Sequence, residues 1–108
     1  MANFNDDVAC PITATLEFIG GRWKTVILYY LTSGERRFGE IAARIPPISK
    51  KVLTQQLKDL ERDGLINRKQ AGELPSHVEY SLTDLGRSLS NVLKEMSNWG
   101  KEHRMANR

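Results

Sequence analysis

A single cysteine in 108 residues rules out an internal disulfide, and two widely separated histidines cannot supply the clustered ligands of a structural zinc site. No apolar run approaches the ~20 residues that span a bilayer, and the start of the chain lacks a basic-then-apolar leader pattern. A cytoplasmic protein without membrane partners is the expectation. The chain has no glycine-rich phosphate loop and no pair of carboxylates beside a histidine, and Cys10 has no candidate base near it in sequence. Neither catalysis nor a metal nor a cofactor is expected.

What is present describes an ordinary small domain. Hydrophobic residues make up 40% and charged residues 27%. A chain of this length removes roughly two-thirds of its unfolded surface from water, enough to fold without staples. The net charge of +3 is compatible with nucleic-acid binding but does not establish it. The placement of that charge says more than its sum.

Residues 1–9 are polar and poor in apolar anchors, and they read as a loose arm; residues 10–104 read as one domain. Pro11 suits the first turn of a helix, where its missing N–H costs nothing. Ile12, Leu16 and Ile19 come next at helical spacing, and Gly20-Gly21 end the helix. Trp23 to Leu31 is ambiguous. Its β-branched and aromatic residues favour strand, its nearly continuous apolar character suits a buried helix, and helix is preferred because the short amphipathic helices after it need a helical packing partner. Phe38, Ile41, Ala42 and Ile45 form the first of these, stopped by Pro46-Pro47. Ser49 can cap the next helix, Leu53, Leu57 and Leu60 form its buried stripe, and Gly64 ends it. Two alternating segments, Leu65 to Gln70 and His77 to Leu82, flank a turn-rich tip at Ala71 to Ser76. Thr83 should cap one long last helix, about 83–104, with Leu85, Leu89, Val92, Met96 and Trp99 in the rhythm of helices packing side by side. A lone monomer would expose that seam, so a homodimer is expected.

A short helix, a tight break, a second helix and a β-hairpin make a winged helix-turn-helix: mainly α, with a small β wing. The outward face of the second helix offers Lys51, Thr54, Gln55 and Lys58, with Ser49 and Lys50 at its leading end. Lysine reaches guanine O6/N7 or phosphates, and glutamine pairs with adenine N6/N7. Such a face taken alone is more often plain solvated surface. The tandem short helices, the Pro-Pro break and the basic hairpin tip the balance towards duplex DNA, with Arg37, Lys69 and His77 completing the expected contact set. The competing reading is a winged-helix module that binds another protein, and steep salt dependence of duplex binding separates the two. Trp23, Tyr29 and Tyr30 read as packing residues rather than a ligand cage.

Six segments carry a family resemblance: Cys10-Pro11-Ile12, Ile19 to Lys24, Arg37 to Ile41, Ile48-Ser49 with Leu53 to Leu57, Asp63 to Ile66, and Val78 to Gly86. In that order, spread over about residues 10 to 99, they resemble the HxlR family of winged-helix regulators. The resemblance implies operator binding by homodimers built through the first and last helices, and here Ile12, Leu16, Leu85, Leu89, Val92, Met96 and Trp99 are the interface residues. It also implies a frequent response to electrophiles or oxidants through an N-terminal cysteine, so a small electrophile or thiol at Cys10 is a further possible partner. Cys10 has two readings of its own: a thiolate favoured by the start of a helix, or a buried inert side chain. One departure stands out: Pro75, Ser76 and His77 occupy positions where the family usually has two prolines and a basic residue.

Overall fold

The computed structural model describes residues 10–73 and 77–105; the expected arm at 1–9 and the wing-tip departure at Pro75-Ser76 lie outside the described residues. The chain begins with α1 (Pro11–Ile19), started by Pro11 and ended where the Gly20 N–H bonds the Leu16 carbonyl at 2.6 Å. The ambiguous stretch is helical as α2 (Lys24–Leu31). Tertiary packing overrides strand propensity there, because one helical face buries Ile27, Leu28 and Leu31 in the core.

A two-residue strand, β1 (Arg36–Arg37), leads into α3 (Phe38–Arg44), and α4 (Lys50–Arg62) comes after the Pro46-Pro47 break. The start of α4 is the expected one: the Ser49 hydroxyl accepts the Val52 N–H at 3.1 Å. Its end is a Schellman turn. Leu65 N–H bonds Leu60 O at 2.9 Å and Gly64 N–H bonds Glu61 O at 3.0 Å, with Gly64 at φ +78°. β2 (Ile66–Ala71) and β3 (His77–Leu82) form the wing, and β1 adds to the free edge of β3, giving the antiparallel order β1-β3-β2. The third strand was not expected.

The last segment differs from the single long helix read from the sequence. Thr83 caps α5 (Asp84–Arg87), accepting the Gly86 N–H at 3.0 Å, but a turn at Ser88-Leu89 separates it from α6 (Ser90–Gly100). The Ser88 N–H is shared between the Asp84 and Leu85 carbonyls and the Leu89 N–H reaches back three residues to Gly86, a local tightening between the two helices. A π-helical turn, Lys101–Met105, completes the chain's described part. The core gathers Ile27, Leu28, Ile41, Leu53, Leu57, Leu60, Leu65 and Ile66, all fully buried, from α2, α3, α4 and the start of the wing; no charged or polar residue is buried among the described residues.

Candidate nucleic-acid interface

Helix α4 separates its residues by chemistry. Leu53, Leu57 and Leu60 are buried, while Ser49, Lys50, Lys51, Thr54, Gln55 and Lys58 lie on its solvent side. Among the described residues Lys50, Lys51 and Lys58 make no ion pair, so their charges face solvent uncompensated. Thr54 donates its hydroxyl to the Lys50 carbonyl at 2.8 Å, turning its lone pairs outward. Gln55 is less free than the sequence suggested: its Nε2 donates to Asp59 Oδ1 at 2.9 Å. Asp59 also receives Arg62 at 3.2 Å and faces Lys24 of α2 at 4.0 Å. That carboxylate is therefore neutralised within the subunit, ties α4 to α2 and holds the Gln55 amide.

Register sorts the remaining basic residues onto two sides of the sheet. Arg37 and Lys69 both pair with Glu79 of the central strand, whereas Arg36 and Arg68 both pair with Tyr80. Directly paired residues share a face, so the row Arg37-Glu79-Lys69 lies opposite the row Arg36-Tyr80-Arg68. His77 joins the first row. It is half-buried, with Nε2 3.0 Å from Glu79 Oε2. Arg68 is the residue the sequence reading passed over. It lines a cleft of about 390 Å³ with Thr54, Lys58 and Tyr80, joining the wing to α4. The signal was its parity with the buried Ile66, which sets Arg68 on the side of the sheet that packs against the helices.

Cys10 stands at the N-cap of α1, half-buried and without a formed side-chain cap bond. The backbone N–H of Thr13, then that of Ile12, lowers its thiol pKa below the ordinary value, with a smaller part from the Thr13 hydroxyl; desolvation opposes them. Large apolar side chains are exposed on α1, α5 and α6. Ile12 is 65% exposed and Trp99 60%, and Leu16, Phe18, Leu85, Val92 and Met96 are exposed with them. Leu89 differs from its expected partners because it packs on the protomer's own core, beside the buried Leu93, which the expected stripe omitted. Leu89 also lines an apolar notch of about 170 Å³ with Ala14, Phe18 and Leu85, between α1 and α5.

Comparison with known proteins places this geometry. The family model for HxlR-like helix-turn-helix proteins matches residues 18–108. The uncharacterized HTH-type transcriptional regulator YdeP of Bacillus subtilis (strain 168) is 44% identical over 100 residues, covering 93% of this chain and 78% of that protein. The redox regulator HypR in its reduced form superimposes with a TM-score of 0.83 at 40% identity, over 88% of this chain and 94% of that one. The reduced form of the transcriptional regulator YodB from B. subtilis gives a TM-score of 0.75 at 36% identity, over 88% and 94% of the two chains.

Proposed function

The chain belongs to the HxlR-like helix-turn-helix family, and on that premise we propose that it regulates transcription by reading an inverted-repeat operator as a homodimer. The observation that carries this reading is the exposed face of α4, with three uncompensated lysines, Thr54 and Gln55 backed by a leucine stripe wholly withdrawn into the core. Lys50, Lys51, Lys58 and Arg68 supply charge for phosphates, Gln55 supplies base readout, and Arg37, Lys69 and His77 reach the flanking backbone. In described helices, no segment is long and apolar enough to cross a membrane.

The dimer is inferred from the apolar surface of α1, α5 and α6. The radius of gyration is 15.7 Å, against about 13 Å for a compact domain of this length. That extended shape and the exposure of Val92, Met96 and Trp99 support a second copy as the cover for this surface. Selection of bound sequences from a random duplex pool is expected to return an inverted repeat with half-sites about one helical turn apart. Sedimentation is expected to give a dimer for the parent and a folded monomer for Trp99→Asp, whose position is exposed in the subunit. Unrelated selected sequences, or a stable parent monomer at micromolar concentration, would overturn the reading.

Regulation is read onto Cys10. HypR is a redox regulator, and the thiolate-favouring start of α1 gives Cys10 the reactive form of sulfur close to the proposed interface. Diamide takes up two electrons and two protons as two thiols join. With one cysteine per chain the product is a disulfide between subunits, or a mixed disulfide with a small thiol. Operator release on diamide treatment is expected in the parent and not in Cys10→Ser. Because the thiolate is the attacking species, release should quicken as pH rises, and the lowered pKa should place that rise below the pH at which the unfolded chain reacts. Equal release from both proteins would remove Cys10 from the mechanism.

A further inference from the structure

A second surface takes no part in the reader or in the apolar dimer face. Where the ends of α2 and α3 meet, Val26, Tyr29, Tyr30, Thr32, Ser33 and Arg44 line an open cleft of about 700 Å³, within the roughly 300–1,000 Å³ of small-molecule sites. None of these residues belongs to α4, β2 or β3.

The walls divide the work that a ligand would require. Val26 and Tyr29, both about two-fifths exposed, offer an apolar side. The Tyr30 ring carries two guanidinium groups, Arg36 at 5.1 Å and Arg44 at 5.9 Å from its centroid. Arg36 is already committed: its two terminal nitrogens donate to Glu35 O and Ser33 Oγ, each at 2.9 Å. Arg44 makes no hydrogen bond or ion pair among the described residues. It lies at the edge of cation–π range of the Tyr30 ring with its donors unspent. Thr32 and Ser33 spend their protons on the carbonyls of Tyr29 and Tyr30, at 2.6 and 2.8 Å. No carboxylate lines the cleft. One unpaired guanidinium, that of Arg44, thus faces a cleft with an apolar wall and no carboxylate in its lining.

We propose that this cleft binds a small aromatic carboxylate, its carboxylate pairing in two-pronged fashion with Arg44 and its ring lying against Val26 and Tyr29. An inorganic anion would leave the apolar wall unused, and a neutral ring would leave Arg44 unpaired. The occupant would touch α2 and the first helix of the helix-turn-helix together. Val26 and Tyr29 also wall an adjoining groove against Leu93 and Met96 of α6, so the site sits between the reader and the helix assigned to the dimer.

The test is a titration of the full-length protein with benzoate, monitored by calorimetry and by chemical-shift changes at Val26, Tyr29 and Tyr30. Benzamide and inorganic phosphate serve as comparators. Saturable benzoate binding is expected, about tenfold or more weaker in Arg44→Gln and for benzamide. Arg44 is exposed, so the variant should fold as the parent does. No saturable binding in the millimolar range, benzoate binding unchanged by Arg44→Gln, or equal competition by inorganic phosphate would each overturn the proposal. No DNA enters the measurement, so its outcome is separate from that of the α4 reading.

Discussion

Gly86→Ala is expected to be the most damaging small substitution in the chain. A Cβ at Gly86 would stand 2.1 Å from the Leu65 carbonyl oxygen and 3.2 Å from both the Leu65 carbonyl carbon and a Leu82 methyl. Two of those three atoms are backbone, held by the Schellman turn behind α4 and by the Thr83 N–H, which bonds the same Leu65 oxygen at 3.1 Å. Thr83 adds a second tie, donating its hydroxyl to Gly64 O at 2.6 Å. The Leu82 methyl can give way but the Leu65 carbonyl cannot, so α5 must lift off the end of α4. Overpacking of this kind costs about 3 kcal/mol or more, a fall in Tm of at least ~12 °C for a domain of this size. Gly39→Ala is the matched control, because a Cβ there meets nothing within 4 Å and the residue lies inside α3. It should hold or raise stability by about 0.5 kcal/mol. Thermal melts of the two variants decide the matter. Similar melting temperatures would mean that α5 does not rest on the Leu65 carbonyl.

The second large effect is expected in DNA binding. Replacing Lys50, Lys51 and Lys58 together with alanine removes six candidate phosphate partners from a dimer. The slope of log K against log salt should flatten by about 5, with operator and random duplex weakened alike. The lysines are exposed and unpaired, so the fold should survive the loss. Gln55→Ala should behave differently, costing about 1–3 kcal/mol on the operator and little on random sequence. It also frees Asp59 from its hydrogen bond and leaves that carboxylate to Arg62 and Lys24. An unchanged salt slope in the triple variant would sink the assignment of α4 as the reader and leave the protein-binding module as the better account of this winged helix.

Features set by a few neighbouring residues were open to sequence reasoning. The limits of α4 are of this kind: a serine hydroxyl starts it, a left-handed glycine ends it, and leucines three and four apart choose its buried face. The exposed face is that stripe's complement, which is why its residues could be named from spacing alone. Helix α2 was read correctly, but only through the helices that need it as a packing partner, because Thr25, Val26 and Ile27 serve strand or buried helix equally well in isolation.

Tertiary structure decided the rest. β1 is two residues long, too short for any periodicity, and exists because Arg36 and Arg37 complete the free edge of β3. Arg68 became part of the candidate interface because strand register turns it towards α4, a relation between distant segments. The rhythm of Leu85, Leu89, Val92, Met96 and Trp99 described one helix only while the axis was assumed continuous. Packing on the subunit's own core takes Leu89 and Leu93 inward, while Leu85, Val92, Met96 and Trp99 stay exposed. Gly86 reads in sequence as an ordinary weak point in a helix, and only the Leu65 carbonyl lying against it shows why no side chain fits there. Local hydrogen bonding and periodicity are written into neighbouring residues, whereas excluded volume and strand pairing depend on which remote atoms arrive at the same place.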